Sequence, residues 1–136
     1  MAATWGRIGS YDVLSELGRG AMGTVYRARG GERDVAIKVL HPQLIQESDE
    51  YLARFRREAE IGLRVHDDNV VQTYAVDSFT HEGGTYHYLV LEYVEGQDLR
   101  GLLKEIGSVP EELCWHIGRE VAKGLRAIHA AGAVHR

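Results

Sequence analysis

Cysteine is nearly absent. Cys114 stands alone, so no intrachain disulfide framework can form, and the chain fits a reducing compartment. An excess of positive charge is missing too: 16 Lys and Arg face 20 Asp and Glu, a formal net charge of −4. That balance supplies no basic field for nucleic acid or an anionic lipid surface. No apolar run approaches the ~18 residues that span a bilayer. The opening Met1-Ala2-Ala3-Thr4-Trp5-Gly6-Arg7 lacks the apolar core of a secretory leader. Internal repeats, low-complexity tracts and linkers are missing as well. What remains, 44% hydrophobic and 26% charged, is the composition of an ordinary soluble domain and argues against disorder. A cytoplasmic location is expected.

The pattern along the chain changes period three times, from strand to helix, back to strand and again to helix. Residues 1–10 read as an irregular lead-in. Alternation starts at Tyr11, meets the cluster Gly18, Gly20 and Gly23, and resumes over Thr24–Arg29. Gly30-Gly31 is a hairpin signal, and a further strand over Asp34–Leu40 is closed by His41-Pro42. A helix follows, capped by Ser48 or Asp49, with Leu52, Phe55, Ala59, Gly62 and Leu63 on one face. Two more strands are predicted at Val70–Val76 and Tyr86–Val94, joined by the loop His81-Glu82-Gly83-Gly84. Beyond Gly96 the period is helical: a short helix over Asp98–Glu105, then a longer one from Pro110. The longer helix carries the stripe Leu113, Ile117, Val121, Leu125 and Ile128. Five strands with one inserted helix, then helices only, predict an α+β fold.

Gly18-Arg19-Gly20-Ala21-Met22-Gly23-Thr24-Val25 matches G-x-G-x-x-G-x-V. Residues without a Cβ let backbone N–H groups approach phosphate oxygens. A Walker A loop would need Lys and Ser/Thr after the last glycine, where Thr24-Val25 stands. A dinucleotide fingerprint would need a helix there, and Thr24–Arg29 reads as a strand. A strand–glycines–strand hairpin fits, with a plain glycine-rich turn as the alternative.

Lys38 lies between Ala36 and Leu40 on one face of its strand, while Val35, Ile37 and Val39 take the other. A covered ammonium there calls for an anion; the alternative is a lysine that snorkels to water. Glu58 borders the apolar stripe of the inserted helix and could turn inward to Lys38, or pair on the surface with Arg54.

Together these residues resemble the protein kinase superfamily, and specifically its bacterial serine/threonine members. The glycine-rich loop Leu17–Tyr26, Val35-Ala36-Ile37-Lys38, Phe55-Arg56-Arg57-Glu58-Ala59 and Leu89-Val90-Leu91-Glu92-Tyr93-Val94-Glu95-Gly96 occur in the family's order. Ala130-Ala131-Gly132-Ala133-Val134-His135-Arg136 resembles the approach to its H-R-D catalytic loop. The resemblance implies an ATP-binding lobe over 11–95, with a five-stranded antiparallel sheet and one helix, followed by the start of a helical lobe over 96–136. It implies that Lys38 holds the ATP phosphates with Glu58 orienting it, and that the backbone of Gly18, Arg19, Gly20, Ala21, Met22, Gly23 and Thr24 covers them. It further implies an adenine roof of Leu17, Val25 and Ala36, a pocket limit at Leu91, and a hinge of Glu92, Tyr93 and Val94. Asp98 falls where the family often contacts the ribose. Two departures stand out: Gly62 replaces a larger apolar residue, predicting a less firmly docked helix, and His66-Asp67-Asp68-Asn69 stands for the usual H-P-N.

The family's catalytic aspartate would follow Arg136, and its Mg²⁺ ligands would lie further on. The complete domain is therefore expected to use ATP and Mg²⁺ to phosphorylate protein Ser/Thr hydroxyls. The 136-residue polypeptide alone is expected to be inactive, most simply as part of a longer gene product. Left uncovered, the stripe from Leu113 to Ile128 is expected to favour self-association. The alternative is a non-catalytic, nucleotide-binding regulatory or scaffold module with a kinase-like lobe. The seven histidines show no paired metal-ligand spacing, and no metal site is expected within the chain.

Overall fold

The computed structural model describes residues 5–135. Met1 to Thr4, the first part of the expected lead-in, and Arg136, the last residue of the expected catalytic-loop approach, lie outside the described residues. The chain runs through β1 (Arg7–Ile8), β2 (Tyr11–Arg19), β3 (Gly23–Gly30), β4 (Arg33–Leu40), α1 (Pro42–Glu47) and α2 (Asp49–Arg64). It continues through β5 (Thr73–His81), β6 (Gly84–Glu92), α3 (Leu99–Ile106) and α4 (Glu111–Ala130). The strands form one antiparallel sheet in the order β1-β2-β3-β4-β6-β5. The α+β arrangement is as the sequence predicts.

Each face of the sheet buries its own core. Val35, Ile37 and Val39 of β4 join Trp5, Ile8, Tyr26, Ala28, Tyr88 and Val90 on one side. Leu40 and Leu89 meet Phe55 and Ala59 of α2 on the other, with Met22, Leu44, Ile45, Leu52 and Leu91 at its border. The period-2 alternation of β4 therefore sorts its residues between two covered faces.

Several boundaries differ from expectation. The lead-in contains β1, because Gly9 takes φ +56° and lets Ile8 pair back on Tyr11; Ile8 is completely buried. The sheet thus has six strands where five are expected. A second inserted helix, α1, begins at Pro42, which suits a first helical turn as well as it ends a strand. The two later strands are displaced. They run Thr73–His81 and Gly84–Glu92 around a two-residue turn in which Glu82 and Gly83 both have positive φ, 48° and 79°. Aromatic packing carries the ladder out to that turn: Phe79 stacks on its cross-strand partner Tyr86 at 5.2 Å, and Trp5 meets both rings edge-on. At the other end Val70 closes a turn on the Asp67 carbonyl, and the β5–β6 pairing begins only at Thr73.

Helix α2 starts where Ser48 Oγ accepts the Glu50 N–H at 3.2 Å, with Asp49 and Glu50 placed favourably for the helix dipole. Asp98 caps α3 by accepting the Gly101 N–H at 2.7 Å, and Gly107 ends that helix at φ +76°. On α4, Leu113, Ile117, Leu125 and Ile128 are half-buried while Val121 is exposed, as is Trp115. Gly124 brings α4 against the loop before β5; a Cβ there would sit 2.7 Å from the Asn69 carbonyl oxygen.

Gly62 has the opposite effect from the one expected. A Cβ at this position would overlap the hydroxyl and Cβ of buried Thr73, so the glycine lets α2 approach β5 more closely than any other residue could. Alanine normally gains about 1 kcal/mol over glycine inside a helix. Here the overlap reverses the sign, and Gly62→Ala is expected to lower stability by about 1–3 kcal/mol, read as a lower urea midpoint. Thr73→Ala in the same background should recover part of the loss. A Gly62→Ala protein as stable as its parent would refute the close-packing account.

Candidate functional site

Lys38 is paired across the sheet with Val25 of β3 and Leu89 of β6, and Ala36 with Leu91, which puts Val25, Ala36, Lys38 and Leu91 on the face that α2 covers. Phe55 and Ala59, one helical turn apart and flanking Glu58 in sequence, are buried there. Glu58 is therefore carried to the sheet by its neighbours. Its Oε1 accepts from Lys38 Nζ at 3.2 Å, while Arg54 pairs instead with Glu50 at 3.3 Å. The inward alternative prevails over the surface one. Lys38 retains 25% of its side-chain exposure and Glu58 54%, so the pair opens to solvent on one side. Such a pair contributes about 0–1 kcal/mol to stability; its consequence is to fix where an ammonium stands.

The glycine-rich loop crosses the end of this face between β2 and β3. Irregular pairing between Glu16 and Gly18 bends β2 as it enters. The three glycines have different surroundings. At Gly23 a Cβ would overlap the Val39 carbonyl, so the chain could not pass β4 with any other residue. Nothing lies within 4 Å of a Cβ at Gly18, and at Gly20 only the Gly23 carbonyl at 3.9 Å. The Gly20 N–H is already committed to that carbonyl at 2.9 Å. Among the described hydrogen bonds none engages the amides of Ala21 or Met22, so these donors at the loop tip are open to an anion. Arg19 is turned away into an ion pair with Glu16 at 3.1 Å, Thr24 is buried, and Leu17 is 47% exposed at the mouth.

The hinge segment follows β6. The Glu92 N–H donates to the Gln72 carbonyl at 2.8 Å and the Glu92 carboxylate accepts the Gln72 N–H at 3.0 Å, which ties the hinge to the loop before β5. His66 joins through its Nδ1, 3.0 Å from Gln72 Oε1. The Val94 N–H has no partner among the described hydrogen bonds, and its side chain is exposed. Asp98 stands beyond the hinge as the α3 cap, with one carboxylate oxygen so used.

A cluster that sequence reasoning missed braces this hinge. Arg27 donates through its Nε to Asp34 Oδ2 at 3.0 Å, Arg29 donates to Asp34 Oδ1 at 2.7 Å, and the Arg27 guanidinium lies 4.6 Å from the centre of the Tyr93 ring. The facing register Arg29↔Asp34, two cations alternating along β3 opposite one acid on β4, is the signal that could have found it. Hydrogen bonds from Arg29 and Arg27 hold the Asp34 carboxyl below its ordinary value, with desolvation opposing them. A depressed carboxyl contributes stability above its unfolded-state pKa, and that contribution is lost as pH falls through the folded-state value. The parent chain should therefore lose stability on acidification below about pH 4. Asp34→Asn should start lower at neutral pH and show a shallower acid limb in pH-dependent thermal unfolding. Superimposable acid limbs would show that the cluster contributes nothing.

Comparison with known proteins agrees with this geometry. The family model described as protein kinase domain matches residues 11–136. The chain is 39% identical over 129 residues to a serine/threonine-protein kinase, drp72, of Corynebacterium efficiens, covering 93% of this chain and 25% of that protein. It is 37% identical over 123 residues to the serine/threonine-protein kinase PknA of Corynebacterium glutamicum, covering 88% and 26%. The crystal structure of the Mycobacterium tuberculosis PknI kinase domain superposes with a TM-score of 0.78 at 28% identity, covering 100% of this chain and 56% of that one. The chain thus spans about a quarter of the curated relatives it matches and about half of the solved domain. With the Lys38–Glu58 pair on one sheet face beside the glycine loop, the chain belongs to the protein kinase family and carries part of a kinase domain similar to those of bacterial serine/threonine-protein kinases.

Proposed function

We propose that this chain is the ATP-binding portion of a serine/threonine protein kinase whose complete domain transfers the γ-phosphoryl group to protein hydroxyls. The observation that carries the reading is the Lys38–Glu58 pair, 3.2 Å apart on the same sheet face as Val25, Ala36 and Leu91 and adjoining the glycine-rich loop. A largely covered ammonium held by one carboxylate can share its remaining donors with an anion, and the α- and β-phosphates of ATP are that anion. The loop tip from Gly20 to Gly23 supplies further donors through Ala21 and Met22, while Gly18 and Gly20 leave the approach uncrowded. Leu17, Val25 and Ala36 form the apolar roof over adenine, and Leu91 limits its depth. The Glu92 and Val94 backbone reads the adenine edge, and Arg27 stacking on Tyr93 steadies it. Asp98 faces the ribose with the oxygen that α3 does not use.

On this reading 11–95 is the nucleotide lobe and 96–136 the beginning of the helical one. The protein acts in the cytoplasm, where ATP is plentiful. Mg²⁺ accompanies ATP in this chemistry, but among the described residues no group of three His, Cys, Asp or Glu side chains gathers to hold a metal ion. On this reading these residues bind and orient the nucleotide. The same reading has the 136-residue polypeptide bind ATP without turning it over, because phosphoryl transfer also needs a metal clamp and a positioned nucleophile, which the family resemblance does not assign to these residues.

Titration calorimetry with ATP tests the assignment. Lys38→Met should weaken binding about tenfold to a hundredfold, the loss of one charge-assisted contact set, and Glu58→Gln should weaken it less. Radiolabelled ATP should give no phosphate transfer to protein substrates with either variant or the parent. Equal ATP affinity in the parent and Lys38→Met would overturn the site. Metal-dependent turnover that disappears in Lys38→Met would overturn the claim of inactivity.

A further inference from the structure

The ladder between β3 and β4 ends at the pair Gly23↔Leu40, yet the next residue continues it by two bonds. The His41 N–H donates to the Met22 carbonyl at 3.0 Å, and the His41 ring, through Nε2, lies 3.1 Å from the Gly20 carbonyl oxygen. A carbonyl only accepts, so Nε2 carries the proton and donates, in the neutral ring as in the charged one. The ring is not used by the neighbouring helix: α1 begins after His41 with no side-chain capping bond. Its one described partner is thus the glycine-rich loop, three residues beyond the end of the ladder.

The consequence follows from the peptide plane. In a trans peptide the C=O and the following N–H point in opposite directions. By holding the Gly20 carbonyl, His41 fixes the plane of the Gly20–Ala21 peptide and hence the direction of the Ala21 N–H, one of the two tip amides with no partner among the described hydrogen bonds. A Cβ at Gly18 would meet nothing within 4 Å and one at Gly20 only the Gly23 carbonyl at 3.9 Å, so crowding does not restrain this stretch; the Gly20 N–H bond to the Gly23 carbonyl at 2.9 Å holds the peptide before Gly20, and the His41 ring holds the one after it. Glycine backbones lose the most conformational freedom on ordering. A loop already aimed loses less of it when a phosphate arrives.

We infer that His41 is a positioning residue of the phosphate-binding loop: its ring holds the Gly20 carbonyl, sets the direction of the Ala21 amide, and so strengthens binding of the nucleotide's phosphates without touching the nucleoside. The inference rests on the ATP reading above for the identity of the anion. The restraint on the loop stands on the two bonds alone.

The test compares the 136-residue chain with His41→Ala and His41→Gln. Gln can place an amide nitrogen where the imidazole Nε2 stands. Hydrogen exchange over residues 19–23 is measured without nucleotide, and affinities for ATP and for adenosine are measured by calorimetry. In His41→Ala exchange should quicken at the loop and ATP should bind about threefold to tenfold more weakly, the worth of one ordinary hydrogen bond. Adenosine affinity should be unchanged, and His41→Gln should restore most of both losses. Unchanged exchange and ATP affinity in His41→Ala would overturn the role of His41. So would equal weakening of ATP and adenosine, because a general structural defect does not distinguish them. A parent chain that binds neither ligand overturns the nucleotide reading itself and this inference with it.

Discussion

The burial of Phe55 and Ala59 against Leu40 and Leu89 is the contact from which the site takes its geometry. The Lys38–Glu58 pair cannot hold α2 in place, since more than half of the Glu58 side chain is exposed and an ion pair in that setting contributes about 0–1 kcal/mol. A fully buried phenylalanine contributes about 1.5–3 kcal/mol, and Phe55 is only 1% exposed. The helix is therefore docked by apolar packing, and the carboxylate is brought to the ammonium as a result. Anything that displaced α2 from the sheet would separate Glu58 from Lys38 while leaving the β4 strand intact.

Two glycines set how near the helices come. Gly62 lets α2 close on Thr73, and Gly124 lets α4 close on the Asn69 carbonyl. Both lie inside helices, where glycine is locally unfavourable, and both trade that cost for an approach that a Cβ would prevent. The opposite face of the sheet is organised by rings. Trp5 meets Phe79, His81 and Tyr86 at 4.9–5.0 Å, drawing the segment before β1 onto the far hairpin. The two faces thus divide the work: one is an aromatic and aliphatic core, the other keeps a margin open around Lys38.

Much of this was legible in the residues. The alternation of Val35, Ile37 and Val39 with Ala36, Lys38 and Leu40 assigns faces correctly, because both faces of β4 are covered by different partners. The Ser48 cap, the Asp98–Glu105 helix and the start of the last helix at Pro110 follow from local chemistry and fall within a residue or so of the observed ends. The misses share a cause. β1 is too short to show a period, α1 is hidden behind a proline that reads equally as a stop, and the loop at His81–Gly84, expected where it lies, is tighter than expected, so both strands beside it run further toward it. Each is settled by packing outside the element itself: Tyr11 for β1, the α2 core for α1, the stacked Phe79 and Tyr86 for the strand ends beside the turn.

The sequence by itself determined the family, the order of the longer strands and helices and the face on which Lys38 lies, because these rest on spacing, periodicity and motif order within short stretches. Only the tertiary structure decided how close α2 stands to β5, which loop amides are already bonded, that Arg27 and Asp34 brace Tyr93, and that His41 reaches back to Gly20. Those are contacts that no spacing or period along the chain prescribes. A carbonyl, a guanidinium or an imidazole has no preferred partner until folding brings one within about 3 Å of it.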